Sequence, residues 1–251
     1  VHRILVNGTT GEFFSLTVEE RQRLLLAARQ YFPGQVLYQA GREGLWQTRD
    51  EVRWATANGA DALLILPPYY YREAPPEGLV TYFAELARIV EIPMLLYNFP
   101  RHTGNPLTAE VLDAIPHAGL KDASGDLSLA AHTPAYFCGD EGIGEAFAAG
   151  ARGVFSALAN AFPERICGWV DALTHGHDAA AGQRMMDALF SATRECRTIS
   201  AVKALLHTRI PGYPVHTRAP IVPPSAATVE RLRALAEDIL AEDLEGRRPA
   251  Q

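Results

Sequence analysis

GADALLILPPYYYREAPPEGLVTYFAELARIVEIPMLLYN, residues 59–98, is the stretch that decides the fold class. It follows a helix-ending Asn58-Gly59 pair and runs through a short apolar block, Ala62–Leu66. A loop of Pro and Tyr comes next, then helical spacing over Gly78–Glu91, and a second apolar block, Met94–Tyr97, closes it. Two short apolar strands with an amphipathic helix between them form a unit of parallel sheet, because only a crossover long enough to hold a helix brings the chain back in the same direction.

The pattern repeats on both sides of that unit. Candidate strands are Arg3–Asn7, Val36–Ala40, Gly119–Lys121, Tyr136–Cys138 and Gly153–Ser156, with amphipathic stretches at Thr17–Tyr31, Trp46–Asn58, Thr108–Ala114, Ser128–Thr133 and Glu141–Ala149. Thr17 stands three residues before Glu20, a capping box at the head of an Arg/Leu-rich helix. From Asn160 the texture is helical: Pro163–Leu173, Ala179–Cys196, Ser200–His207 and Ser225–Leu244, with a Pro-rich loop, Pro211–Pro224, that cannot be a central strand. The expected architecture is α/β, a (β/α)8 TIM barrel over residues 1–159 followed by a helical region over 160–251. Seven strands are visible where a closed barrel has about eight. The expectation is that the first βα unit is missing and that the visible strands are the second to the eighth.

Composition narrows the function. The chain has 251 residues, 48% hydrophobic, with a net charge of −6 and no basic run longer than Arg247-Arg248, which argues against nucleic acid or an anionic membrane as a partner. No apolar stretch approaches the roughly 18 residues of a membrane span, and Val1–Leu5 does not read as a signal peptide. The three cysteines, Cys138, Cys167 and Cys196, form no Cys-x-x-Cys pair. A reduced, cytoplasmic protein with neither disulfide nor zinc site is the expectation. Of the 23 basic residues only Lys121 and Lys203 are lysines. Arginine cannot act as an amine nucleophile, so a retained lysine draws attention.

In a parallel barrel the site gathers at the C-terminal ends of the strands. Three strand ends carry suitable chemistry: Gly8-Thr9-Thr10-Gly11-Glu12, Tyr97-Asn98-Phe99-Pro100 and Lys121-Asp122-Ala123-Ser124-Gly125-Asp126. Lys121 follows an apolar strand, so its stem lies inside the barrel and its amine at the mouth. It reads either as a partly desolvated nucleophile or as a lysine paired with Asp122 or Asp126. The Thr9-Thr10 loop offers hydroxyls and backbone N–H groups to a carboxylate or phosphate, or is an ordinary turn. Tyr97 is a proton relay or a core tyrosine. Tyr69-Tyr70-Tyr71 and Pro163-x-x-Ile166 are candidate interface surfaces. Gly142-Ile143-Gly144 is a poor dinucleotide fingerprint, since Phe147 stands where a small residue is needed. Lys203, His175 and His177 read as structural or surface residues.

Taken together, Gly8-Thr9-Thr10-Gly11-Glu12 with Leu16-Thr17-x-Glu19-Glu20, Pro67-Pro68-Tyr69-Tyr70, Tyr97-Asn98-x-Pro100 and Gly119-Leu120-Lys121-Asp122-x-Ser124-Gly125-Asp126 resemble the dihydrodipicolinate synthase/N-acetylneuraminate lyase family of pyruvate-dependent class I aldolases. The order and spacing of the four motifs fit across nearly the whole chain. The resemblance implies that Lys121 forms a Schiff base with the keto carbon of pyruvate. It implies that Gly8, Thr9 and Thr10 hold the carboxylate, that Tyr97 shuttles protons with Thr9, and that Tyr70 completes the relay from a neighbouring subunit. Arg101, His102 and Phe155 are the remaining substrate contacts it implies. It implies no metal or organic cofactor, a 2-oxo acid and an aldehyde as partners, and a homotetramer or other homo-oligomer.

One departure bears on the substrate. Members that make dihydrodipicolinate carry an arginine two residues after the proline of the tyrosine motif, where this chain has His102, with Arg101 just before it. That favours an aldolase for 2-keto-3-deoxy sugar acids. Dihydrodipicolinate synthase proper and a non-catalytic barrel that binds a 2-oxo acid remain the alternatives.

Overall fold

A computed structural model describes residues 1–177, 180–193 and 196–246. It forms two compact units, Val1–Phe155 and Ser156–Gln251. In the first, each apolar run is a strand: β1 (Arg3–Val6), β2 (Gln35–Gln39), β3 (Ala62–Ile65), β4 (Met94–Asn98), β5 (Gly119–Asp122), β6 (Tyr136–Cys138) and β7 (Gly153–Val154). They lie side by side in chain order, and every neighbouring pair is parallel. Among the described residues β1 and β7 each have one strand neighbour. The α-helices of this unit are α1 (Val18–Tyr31), α2 (Leu45–Ala57), α3 (Pro76–Ala87), α4 (Pro100–Thr103), α5 (Ala109–Asp113) and α6 (Ile143–Ala148).

Local chemistry sets the helix ends. Thr17 caps α1 with the full reciprocal pair: Glu20 N donates to Thr17 Oγ1 at 3.2 Å, and Thr17 N donates to Glu20 Oε2 at 2.9 Å. Helix α3 starts at Pro76, two residues before the expected Gly78, since proline is well tolerated in the first turn. The expected helix Ser128–Thr133 is a 3₁₀ turn, Leu127–His132. Thr133 is already extended and Pro134 follows, which stops the turn from continuing.

Every residue of β3, β4 and β5 is buried, as a parallel sheet covered on both faces requires. Strand alternation divides them. Leu37, Ala62, Leu64, Leu66, Leu95 and Tyr97 form one cluster with Phe13, and Leu5, Phe99, Ala123, Phe137 and Phe155 pack against it. These residues alternate with Val36, Tyr38, Leu63, Ile65, Leu96 and Leu120, all buried on the other face. The register pairs Tyr97 with Lys121 and Asn98 with Asp122, so the first pair joins the cluster face and the second the opposite one.

A charged network is buried between α1, α2 and β2. Arg21 lies 3.6 Å from Glu51 and donates to the Gln39 carbonyl at 2.8 Å, while Tyr38 Oη donates to Glu51 at 2.6 Å. The Asn7 amide, at the end of β1 with φ near 61°, donates to the Arg21 carbonyl at 3.2 Å.

The second unit is helical among its described residues: α7 (Pro163–His175), α8 (Ala180–Thr193), α9 (Thr198–Arg209) and α10 (Ala226–Gly246). The expected helix Ala179–Cys196 overlaps α8, with residues 179, 194 and 195 outside the described set, as are residues 247–251 of the expected tail. The Pro-rich segment is a loop, and Lys203 donates to the His216 carbonyl at 2.6 Å, a structural role. No helix among the described residues is long and apolar enough to cross a membrane.

Candidate active site

Lys121 emerges from the middle of β5 onto the cluster face and is 7% exposed. Its Nζ lies 3.8 Å from the centre of the Tyr97 ring and 5.4 Å from that of Phe155. Neither Asp122 nor Asp126 takes it as an ion-pair partner: Asp122 points to the other face of the strand, and Asp126 caps the next turn through Ser128. An amine held among aromatic rings is shielded from water, and only a small ligand drawn into the same space can reach it.

Tyr97, 2% exposed, brings its hydroxyl 3.3 Å from Thr9 Oγ1, a bond in which either group can donate. The two residues come from strand ends 88 positions apart. A pair of hydroxyls that can exchange roles is what passing a proton requires. Gly8 is buried and Thr9 and Thr10 half-buried, in a turn closed by Glu12 N on the Thr9 carbonyl at 3.1 Å. A side chain on Gly11 would meet the Gly8 carbonyl at 3.3 Å, so backbone packs closely against backbone there.

Phe99 extends the site outward. It stacks on Tyr97 with ring centres 5.6 Å apart, and its own ring carries His102 at 4.1 Å and the Arg101 guanidinium at 5.7 Å. Arg101 and His102 are exposed, so a cation and an imidazole stand on the same aromatic ladder as Tyr97. The fold therefore brings together Lys121, Tyr97, Thr9 and Phe155, and links Arg101 and His102 to them through Phe99.

Tyr70 is apart from this group. It is 78% exposed and packs edge-on against Tyr71, itself 76% exposed. The loop carrying both is braced all the same. Asn105, fully buried, donates to the Pro68 and Tyr71 carbonyls at 2.6 and 2.8 Å and accepts from Ala74 N at 2.8 Å. Burial, and then the Glu43 carboxylate beside it, push the Tyr69 phenol above its ordinary value.

Sequence reasoning missed several supports. Asp122 is 2% exposed and accepts from Asn98 Nδ2, Ser124 Oγ, Ser124 N, Gly125 N and Tyr136 Oη. Burial, and then Asp122, hold the Tyr136 phenol above the usual range, so it remains a donor. Asn98, Phe99 and Asp122 do lie inside the strand-end motifs, which is a signal; Asn105 and Tyr136 carry none.

A model of the Dihydrodipicolinate synthetase family matches residues 1–239. An uncharacterised DapA-like lyase of Chloroflexus aurantiacus is 32% identical over an alignment that spans 96% of this chain and 86% of that protein. A 4-hydroxy-tetrahydrodipicolinate synthase of an Exiguobacterium species is 31% identical, over 93% of this chain and 85% of its own length. Among solved structures, a variant of Sulfolobus solfataricus 2-keto-3-deoxygluconate aldolase aligns with a TM-score of 0.87 at 25% identity, covering 98% of this chain and 87% of that one.

Proposed function

This chain belongs to the Dihydrodipicolinate synthetase family, and on that premise we propose that it is a lyase that binds pyruvate as an imine on Lys121 and makes or breaks a carbon–carbon bond next to it. The observation that carries the proposal is the grouping of a buried amine, the Tyr97 ring 3.8 Å from it, and the Tyr97–Thr9 hydroxyl pair at 3.3 Å.

The chemistry follows in order. The Lys121 amine adds to the keto carbon of pyruvate to give a carbinolamine, which loses water to give the protonated imine. Loss of a proton from the adjacent methyl carbon gives an enamine, with the imine nitrogen taking up the electron pair. The enamine carbon attacks an aldehyde, and its oxygen takes a proton; hydrolysis of the imine releases the product and the free amine. Cleavage runs the same steps backwards. Tyr97 moves the protons, with Thr9 as the neighbour that accepts or returns one, and the N–H groups of the Gly8–Thr10 loop hold the carboxylate. Tyr70, exposed in its own chain, serves the site of a second copy, which makes the active form a homo-oligomer.

For the second substrate we favour a 2-keto-3-deoxy sugar acid, whose cleavage next to the imine gives pyruvate and a polyhydroxylated aldehyde. Its support is His102 at the position where an arginine would face a carboxylated aldehyde, together with the 25% identical aldolase. A second reading, synthesis of dihydrodipicolinate from a carboxylated aldehyde, draws on the Arg101 guanidinium over Phe99 and on the 31% identical synthase.

The test is to incubate the protein with pyruvate, reduce with borohydride, digest, and locate the added mass. An adduct confined to the Lys121 peptide and absent from Lys121→Arg is expected. Full activity in Lys121→Arg would sink the mechanism. Reversible pyruvate binding with no adduct would leave only a non-catalytic binder. Glyceraldehyde and a carboxylated aldehyde, each offered with pyruvate, separate the two substrate readings.

A further inference from the structure

We propose that Asp122 is the positioning residue of the nucleophile: its carboxylate ties the C-terminal ends of β4 and β5 to the Tyr136 side chain at the start of β6 and so sets the distance between the Lys121 amine and Tyr97. The proposal rests on the reading of Lys121 as the imine-forming residue.

Five donors converge on the two oxygens of this one side chain. Oδ1 accepts from Asn98 Nδ2 on β4 at 2.7 Å and from Ser124 Oγ at 2.8 Å. Oδ2 accepts from Tyr136 Oη on β6 at 3.0 Å, from Gly125 N at 3.1 Å and from Ser124 N at 3.2 Å. All five are neutral, and none comes from a basic side chain. A group that must accept on both oxygens is an ionised carboxylate; an amide of the same shape would turn an NH2 towards donors. The frame continues beyond these bonds. Asn98 Oδ1 accepts from Leu107 N at 3.0 Å, and the Asn98 carbonyl accepts from Ala123 N at 2.9 Å. Gly125, with φ near 83°, lets the chain turn back so that its N–H reaches the carboxylate.

The consequence for the site follows from the alternation. Asn98 and Asp122 are register partners, and the pair next to them on the same two strands is Tyr97 and Lys121. The two pairs leave the sheet on opposite faces, so Asp122 touches no reactant. It fixes the backbone from which both reactive side chains spring. A misplacement of about 1 Å in a reacting pair costs roughly 10²-fold in rate, so the brace has kinetic weight beyond its share of stability. The Gly8–Thr10 loop hangs from β1 and meets the braced strands through the 3.3 Å Thr9–Tyr97 bond alone among the contacts described, so binding of the pyruvate carboxylate is expected to depend on the brace far less than the rate does.

The experiment is the pyruvate concentration dependence of borohydride trapping at Lys121, measured for the unaltered protein, Asp122→Asn, Asn98→Ala and Tyr136→Phe. Asp122→Asn is expected to lower the limiting rate of adduct formation by roughly 10–100-fold, with half-saturating pyruvate moved less than about threefold. The single-donor variants are expected to fall between it and the unaltered protein. A limiting rate within about twofold of the unaltered protein in folded Asp122→Asn overturns the proposal, and so does a parallel loss of rate and pyruvate saturation. If Asp122→Asn does not fold, Tyr136→Phe decides in the same way: a slower limiting rate at unchanged saturation supports the brace, and an unchanged rate overturns it. An unaltered protein that forms no adduct overturns the imine reading itself, and that result is visible before any variant is made.

Discussion

Arg21→Met removes one half of a buried ion pair while keeping most of the alkyl stem. In the native chain the Arg21 guanidinium lies 3.6 Å from Glu51, donates to the Gln39 carbonyl at 2.8 Å, and stands 5.5 Å from the centre of the Phe13 ring. Glu51 is 3% exposed and in the variant would keep Tyr38 Oη, at 2.6 Å, and Gln22 Nε2, at 3.3 Å, as donors, with no cation. Stranding a charge in this way costs about 3–5 kcal/mol. A chain of this length loses about 2–4 °C for each kcal/mol, so the expected fall in melting temperature is roughly 6–20 °C. Adding Glu51→Gln neutralises the stranded group and keeps an acceptor for Tyr38, so the double variant should recover at least half of the loss. Urea denaturation of the two single variants and the double gives the coupling energy directly. Because Phe13, which directly follows the Thr9–Glu12 turn, rests against this guanidinium, half-saturating pyruvate in the trapping assay should also rise. A single variant that loses less than about 1 kcal/mol, or a double whose losses simply add, would refute the reasoning.

Two further outcomes follow from the same core. Gln39 is fully buried, and neither its amide nitrogen nor its amide oxygen has a hydrogen-bond partner among the described residues; Gln39→Leu should therefore raise the urea midpoint by the equivalent of about 1–2 kcal/mol, and a fall of that size would mean that the amide has a partner. Tyr97→Phe removes one 3.3 Å bond between neutral hydroxyls, worth about 1 kcal/mol of stability, but takes away a proton relay worth about 10²–10⁴-fold; kcat should fall by at least roughly 10²-fold with the melting temperature nearly unchanged, and a variant that keeps a tenth of the rate would remove Tyr97 from the mechanism.

The strands were legible because both faces of the parallel sheet are covered, which leaves short continuous apolar runs that stand out between polar helices. Lys121 stood out for a related reason, since it ends such a run in a chain with only two lysines, but its position alone left pairing with Asp122 or Asp126 open, and the proposed role came from the four motifs taken together. The same double burial hid the supports. When both faces of β4 and β5 are interior, alternation does not announce which residue looks at the site, and Asp122 read as a possible partner of Lys121 although it lies on the other side of the strand. Arg21 read as one more arginine on an Arg/Leu-rich helix; its burial depends on Glu51, which lies thirty residues away on another helix. Asn105 sits in a loop with no periodicity at all, and its three bonds to the backbone of the tyrosine loop exist only after folding.

Tyr70 shows the same limit from the other direction. Its motif predicts a relay residue, yet the chain's own fold leaves it 78% exposed on a loop whose backbone is held by Asn105. A loop built firmly and tipped with exposed aromatic rings presents a side chain without using it, as a contribution to a neighbour's site requires. Lys121-Asp122 and Tyr70-Asn105 thus repeat one division of labour. A buried amine or an exposed phenol is presented from the chain's own frame, and a buried acceptor or amide close behind it ties that frame together with hydrogen bonds to strands and loop backbone. In the first case the frame places an amine beside a phenol; in the second it leaves a phenol exposed at the tip of a braced loop, as the role proposed for it in a second copy's site requires.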